Sequence, residues 1–299
     1  MVLQKMTFFQ LFIGLLLLLS WIGRPLLYKP IAEYFPAKQS VTFTSFWLVF
    51  GLILTYPILG HLLEFNNEYT LYSPYILISV YKGVSLFYFI ALQQTINKKS
   101  MSSSVFLSFI AVALGCLANN LFFDENLGFI KVMCVLGFGV LGILFMQKGD
   151  AKRLSHKDIM FFLIATLIMA SFSVSDHVAI PRIGWYAHLL VSSVAMFLIC
   201  LLYPVSRKAF HLVFNDRRVI YAGTFYTITE FLVIYVSINI LPVSVVAVFL
   251  RLSVPFVMII SAIKYKEQNI KNQLGFGIVA ILLTLPIIFI KKNLFIYIT

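Results

Sequence analysis

Three ionisable side chains stand in the middle of long apolar runs: Lys82, Glu230 and Arg251. A charge near the centre of a bilayer costs at least about 2.5 kcal/mol on insertion scales, so each one needs a partner or a polar cavity. Two roles fit and are compatible. Glu230 and Arg251, in consecutive runs, can make a structural ion pair, and the three charges together can border a path for a polar solute. Two cations against one anion leave an excess of positive charge. That suits a carboxylate or phosphate on the solute better than a bare cation.

Helical spacing adds neighbours to these charges. Tyr226, Glu230 and Ser237 follow i, i+4, i+11 and share a face, as do Tyr81, Ser85 and Tyr88 at i, i+4, i+7, with Lys82 beside them. Tyrosines at mid-span fit interfacial anchoring poorly and point to a cavity. Pro255 removes the N–H that would bond the Arg251 carbonyl, and Pro25 does the same to Trp21, which predicts kinks with free carbonyls. Arg24 and Asp176, nearer to run ends, are expected to snorkel to the interface. The expected site is therefore a midplane cavity lined by Trp21, Tyr81, Lys82, Tyr88, Tyr226, Glu230 and Arg251. A second reading makes the tyrosines a cage for an organic cation or drug, with Glu230 as counter-charge.

The elements that carry these residues follow from composition. Of the 299 residues 61% are hydrophobic and 11% charged, with a mean hydropathy of +0.96. A soluble domain carries about 25% charged residues, so lipid is the expected solvent. Ten runs approach the roughly 20 residues that cross a hydrocarbon layer. They lie at 7–28, 41–63, 72–95, 101–122, 127–147, 157–180, 184–204, 217–239, 242–263 and 272–290. All are expected to be helices, because lipid offers no partner for an unpaired backbone group. The first run lacks a small-residue cleavage site and reads as a retained span. Cys116, Cys134 and Cys200 have no paired spacing and read as small buried hydrophobes.

An internal echo divides the chain. Thr95-Ile96-Asn97 answers Ser237-Ile238-Asn239, Ser104 to Leu107 answers Ala247 to Leu250, Glu125 answers Glu267, and Leu136-Gly137-Phe138-Gly139 answers Leu274-Gly275-Phe276-Gly277. The separations are 142, 143, 142 and 138 positions, so one half reads as a diverged copy of the other. Five spans per half is an odd number, which turns the second half over in the membrane. The fold class expected is an all-α integral membrane protein of ten transmembrane helices in two inverted five-helix repeats, 1–147 and 159–299, joined by a polar connection at 148–158. Such folds hold their substrate near the midplane between repeats. Gly137, Gly139, Gly142, Gly275 and Gly277 read as helix-packing positions.

The formal net charge of +12 sits in short connections, a pattern of membrane orientation rather than of nucleic-acid binding. Fifteen cations fall on the side that holds 148–158 and five on the side of the termini. The positive-inside rule then predicts both termini outside, in a bacterial cytoplasmic membrane.

Span number, repeat and motif order resemble the EamA-like branch of the drug/metabolite transporter superfamily. Pro255, Glu267 and Gly275 match its proline, small-Glu step and Gly-containing last helix; Glu125 and Gly137 match in the first half, where Ala113 stands at the proline position. Trp21-Ile22-Gly23 departs from the family's Trp-Gly pair. The resemblance implies secondary transport of amino acids, other metabolites or drugs, and termini in the cytoplasm, opposite to the charge count. No His-Glu-x-x-His, Gly-x-Ser-x-Gly or Walker sequence is present, and the five histidines are scattered. The expected function is thus alternating-access transport of an amino-acid-like zwitterion or organic anion, with no enzyme activity and no cofactor. The expected partners are the substrate, the bilayer, and coupled protons or an exchanged metabolite. An intramembrane enzyme would need a site of unrecognised type, and a lipid-moving or scaffolding protein would have no use for midplane charges.

Overall fold

The computed structural model describes residues 8–62, 74–101, 103–104, 110, 114, 118, 128–148, 155–240, 243–265 and 270–289. Among these residues the long elements are all helices. They are α1 (Phe8–Tyr34), α2 (Ala37–Leu59), α3 (Pro74–Lys99), α4 (Gly128–Lys148), α5 (His156–Ile183), α6 (Trp185–Leu202), α7 (Arg217–Asn239), α8 (Val243–Lys264) and α9 (Ile270–Phe289). Most of the fourth expected span, 101–122, lies outside the described residues, as do Cys116, Glu125, Glu267 and most of the connection 148–158.

Five helices, α1, α2, α3, α5 and α6, are long and apolar enough to cross a membrane. Shorter apolar stretches run through Val132–Leu141, Leu252–Ser261 and Leu274–Leu283. Leu19, Ile53, Leu54, Leu77, Leu163, Leu167 and Leu198 all point away from the protein. Against water each square ångström of such surface would cost about 25 cal/mol, a penalty that lipid removes. The protein is an integral membrane protein.

Contacts fix the directions of the helices. Lys29, at the C-terminal end of α1, donates from Nζ to the carbonyls of Asn97 (2.6 Å) and Lys98 (3.1 Å), so α1 and α3 end together. The cation meets the last carbonyls of α3, the negative end of that helix. Lys29 was counted from the sequence among the solvent-side cations; the fold buries it instead. Lys99 bonds both carboxylate oxygens of Asp158 at 2.6 Å, where α5 begins. Asp158 closes a capping box with Ser155 there. Asp216 caps α7, accepting from the Arg218 N–H at 2.9 Å. Its bonds from the Arg218 side chain hold the Asp216 carboxyl below the usual carboxylate range.

Two glycines permit the approach that matters for the site. Gly184 stands between α5 and α6 at φ 76°, a left-handed conformation that disfavours a side chain, and turns the chain straight back. Gly83 lets α3 lie against the backbone of α6: a Cβ there would be 2.2 Å from the Ser192 carbonyl oxygen. As a result α3 packs on α5 and α6, while α7 packs on α1 and α2. The kinks with unwound backbone expected at Pro25 and Pro255 do not interrupt α1 or α8, which run as continuous helices through both prolines.

Candidate functional site

The helix left out of the apolar set, α7, carries Thr224, Thr227, Thr229 and Glu230. Thr227 and Thr229 turn their hydroxyls onto the Gly223 and Tyr226 carbonyls of their own helix, whereas Glu230 reaches beyond it. Glu230 pairs with Arg24 of α1. Only 12% of the arginine side chain and 22% of the glutamate side chain is exposed. The guanidinium is also held between two rings, 4.4 Å from the Trp21 ring centre and 3.6 Å from that of Tyr226. Tyr226 meets Tyr28 edge-on at 5.8 Å, and the Tyr28 hydroxyl shares a 2.7 Å hydrogen bond with Thr44 of α2.

These groups form one wall of a cavity of 250 Å³. Residues of α1, α2, α3, α5, α7 and α8 enclose it, together with Ser104. The opposite wall is α3, which presents Leu86, Phe89, Ile90, Gln93, Gln94 and Asn97. Their spacing, i, i+3, i+4, i+7, i+8, i+11, is one helical face that begins apolar and ends in three amides. Met169 and Phe172 of α5 and Ser253 of α8 complete the lining. Three polar atoms of these lining residues are buried without a hydrogen-bond partner among the described residues: Arg24 Nε, Gln94 Oε1 and Asn97 Oδ1. Buried polar atoms are nearly always bonded, and an unmet one costs about 1–3 kcal/mol, so three in one cavity mark a place for a polar ligand.

The structure brings together Trp21, Tyr226 and Glu230 of the seven expected site residues. The Arg251 side chain lies outside the described residues, and with it the expected pairing of Glu230 with Arg251; among the described residues Glu230 pairs with Arg24. Arg24 therefore does not snorkel to the interface. Its side chain lies under two aromatic rings beside a carboxylate, which solvates it better than distant headgroups. Tyr81 and Tyr88 do not reach the cavity; both are exposed. They sit seven residues apart on one face of α3, but that face is opposite to the amide face, on the lipid side.

Lys82 is on the cavity side of α3 yet lies beyond its far end. It pairs with Asp176 of α5. The same Asp176 oxygen takes His188 Nε2 of α6 at 2.8 Å, and His188 Nδ1 meets the Ser79 hydroxyl of α3 at 2.7 Å. Asp176 thus does not snorkel either: the Gly184 turn folds it back onto His188, and α3 supplies the lysine. Cys134 and Cys200 are free and buried. Among the described residues no cluster of His, Cys, Asp and Glu could hold a metal ion.

The residues missed from the sequence were Arg24, Tyr28, Gln93, Gln94 and Asn97. A signal for three of them was present: amides at i, i+1, i+4 on the face of α3 that continues an apolar stripe. No protein-family model matches the chain, and no curated protein matches it either.

Proposed function

We propose that the chain is a secondary transporter that moves a small zwitterionic metabolite, amino-acid-like, across the membrane by alternating access. One observation carries the reading: an ion pair, Arg24–Glu230, joins α1 to α7 in one wall of a 250 Å³ cavity whose lining holds polar atoms without partners among the described residues. A substrate carboxylate takes the place of Glu230 at Arg24, and a substrate ammonium meets Glu230 and the amide oxygens. The charge excess expected from the sequence is smaller, because Asp176 neutralises Lys82. A balanced site favours a zwitterion over an organic anion. A caged cation is disfavoured, since the Tyr226 face already holds the Arg24 guanidinium.

The ten-span inverted repeat fits this reading. The LGFG segments sit in α4 and α9, which pack on each other. Gly137 lies against Leu283, and Phe145 meets Phe276 at 5.4 Å. One residue number rises as the other falls, so the two helices are antiparallel, as inverted copies must be. Exchanging the halves also exchanges the packing of α3 on α5 and α6 with that of α7 on α1 and α2. The EamA-like resemblance implies the same architecture. With no Walker sequence, an ion gradient or exchange drives transport, and the proposed setting is a bacterial cytoplasmic membrane with both termini outside.

The test is counterflow in vesicles reconstituted with the purified protein and preloaded with unlabelled amino acids. Entry of at least one radiolabelled zwitterionic amino acid is expected, and it should be lost in R24L and E230L. Exchange of organic cations alone, of anions alone, or of nothing would sink the reading.

A further inference from the structure

The second polar cluster, Ser79–His188–Asp176–Lys82, lies away from the cavity and invites a count of its protons. A serine hydroxyl has one hydrogen, two lone pairs and no more. Ser79 has two acceptors for that hydrogen: the Tyr75 carbonyl, 2.9 Å away in the preceding turn of α3, and His188 Nδ1 at 2.7 Å. On the other side of the ring, Nε2 lies 2.8 Å from Asp176 Oδ1. An ionised carboxylate is an acceptor only, so Nε2 carries the hydrogen on that line. The same positions then serve two protonation states. With the Ser79 hydrogen on Nδ1 the ring is neutral; with it on Tyr75, Ser79 accepts from a protonated Nδ1 and the ring is an imidazolium against a carboxylate.

We propose that Asp176 and His188 form the binding site of the coupling proton of this transporter, a reading that rests on the transport function proposed above. The site is built for reversible loading. His188 is 2% exposed, whereas 37% of the Asp176 side chain is exposed and offers the proton a way to water. Release takes one proton from the pair to solvent and leaves a neutral ring. Nε2 keeps its hydrogen on Asp176, and Ser79 swings its own from Tyr75 to Nδ1. The hydrogen bond between α3 and α6 thereby reverses direction. This contact links the first half of the chain to the second, the seam that alternating access must open and close.

Among the described residues no charged group beyond Lys82 and Asp176 bonds this cluster. Lys82 and Asp176 face the ring directly. Tyr186 of α6 gives its hydroxyl to the Leu52 carbonyl at 2.6 Å. Arg182 lies over the Tyr75 ring at 5.7 Å. His177 on α5, and Tyr56 and His61 at the end of α2, are exposed.

Two measurements test the proposal. The first uses the full chain in lipid nanodiscs with histidine-selective ¹⁵N labelling and H188Q to identify the resonance. Both His188 nitrogens should be protonated on the acid side of a titration over about pH 5–8 and one should lose its proton on the alkaline side; a single neutral tautomer throughout overturns the proposal. The second uses reconstituted vesicles and a mixture of radiolabelled zwitterionic amino acids as probe. With one proton per substrate, an inward pH gradient of about one unit should drive roughly tenfold accumulation by the wild-type protein. H188Q, whose amide mimics the neutral ring, and D176N should still exchange amino acids but reach an accumulation ratio of about one. Undiminished gradient-driven accumulation in both variants overturns the proposal. Absence of exchange by the wild-type protein overturns the transport reading alone, and the nitrogen shifts then decide the proton site.

Discussion

Two ion pairs join the same kind of helix partners and differ in how completely they are bonded. Arg24–Glu230 ties α1 to α7, and Lys82–Asp176 ties α3 to α5. Exchanging the two halves of the chain would carry one set of helices onto the other. At the seam every polar neighbour is used: Asp176 takes Lys82 and His188, and Ser79 serves both Tyr75 and the ring. In the cavity Arg24 Nε, Gln94 Oε1 and Asn97 Oδ1 have nothing to bond. A saturated network holds helices together and can store a proton. An unsaturated one, beside open volume, holds free energy in reserve for a ligand. The difference is the ground on which one pair is proposed to bind and the other to couple, although both are buried charges in a membrane protein.

The largest effect should come from breaking the cavity pair. Removing one partner of a buried ion pair leaves an uncompensated charge and costs about 3–5 kcal/mol. Glu230→Gln should therefore lower the thermal stability of the solubilised protein by that order, and R24L/E230L should recover most of it while remaining inactive in counterflow. Wild-type melting of Glu230→Gln would mean that water reaches Arg24 and the cavity is not enclosed.

Asp176→Asn should cost less, about 1–2 kcal/mol, because the greater exposure of Asp176 lets water solvate Lys82 when the anion is gone. A loss as large as that of Glu230→Gln would erase the distinction between the more exposed pair and the more buried one.

Gln94→Leu and Asn97→Leu sharpen the comparison through their sign. Each removes a buried oxygen that has no partner, so stability should hold or rise by about 1 kcal/mol while substrate exchange falls. The bond from Lys29 survives in Asn97→Leu, since it goes to the backbone carbonyl. If both variants melt well below wild type, the amides are structural. The smallest effect is expected for Tyr81→Phe, within about 1 kcal/mol and with unchanged exchange, because it removes a single exposed hydrogen bond, from the Tyr81 hydroxyl to Ser171 of α5, away from the cavity.

Parts of this protein were legible without any coordinates. An apolar run has one stable form in lipid, so the helices at 217–239, 127–147 and 157–180 are found within a few residues of where hydropathy put them. Helical period put Tyr226 and Glu230 on one face, and one cavity wall contains both. The cost of an intramembrane charge singled out Lys82 and Glu230, and both have partners.

Which partners these are could not be read from the sequence. Glu230 is 206 residues from Arg24, and nothing in that spacing announces the pair. Ion pairing depends on which helices pack, and that is set by close approaches such as Gly83 on the Ser192 carbonyl and by the Gly184 turn. Period alone likewise gives each helix a set of faces without saying which one meets lipid. Tyr81 and Tyr88 lost to Gln93, Gln94 and Asn97 because α1, α5 and α7 line one cavity with the amide side of α3, a choice made by the bundle as a whole.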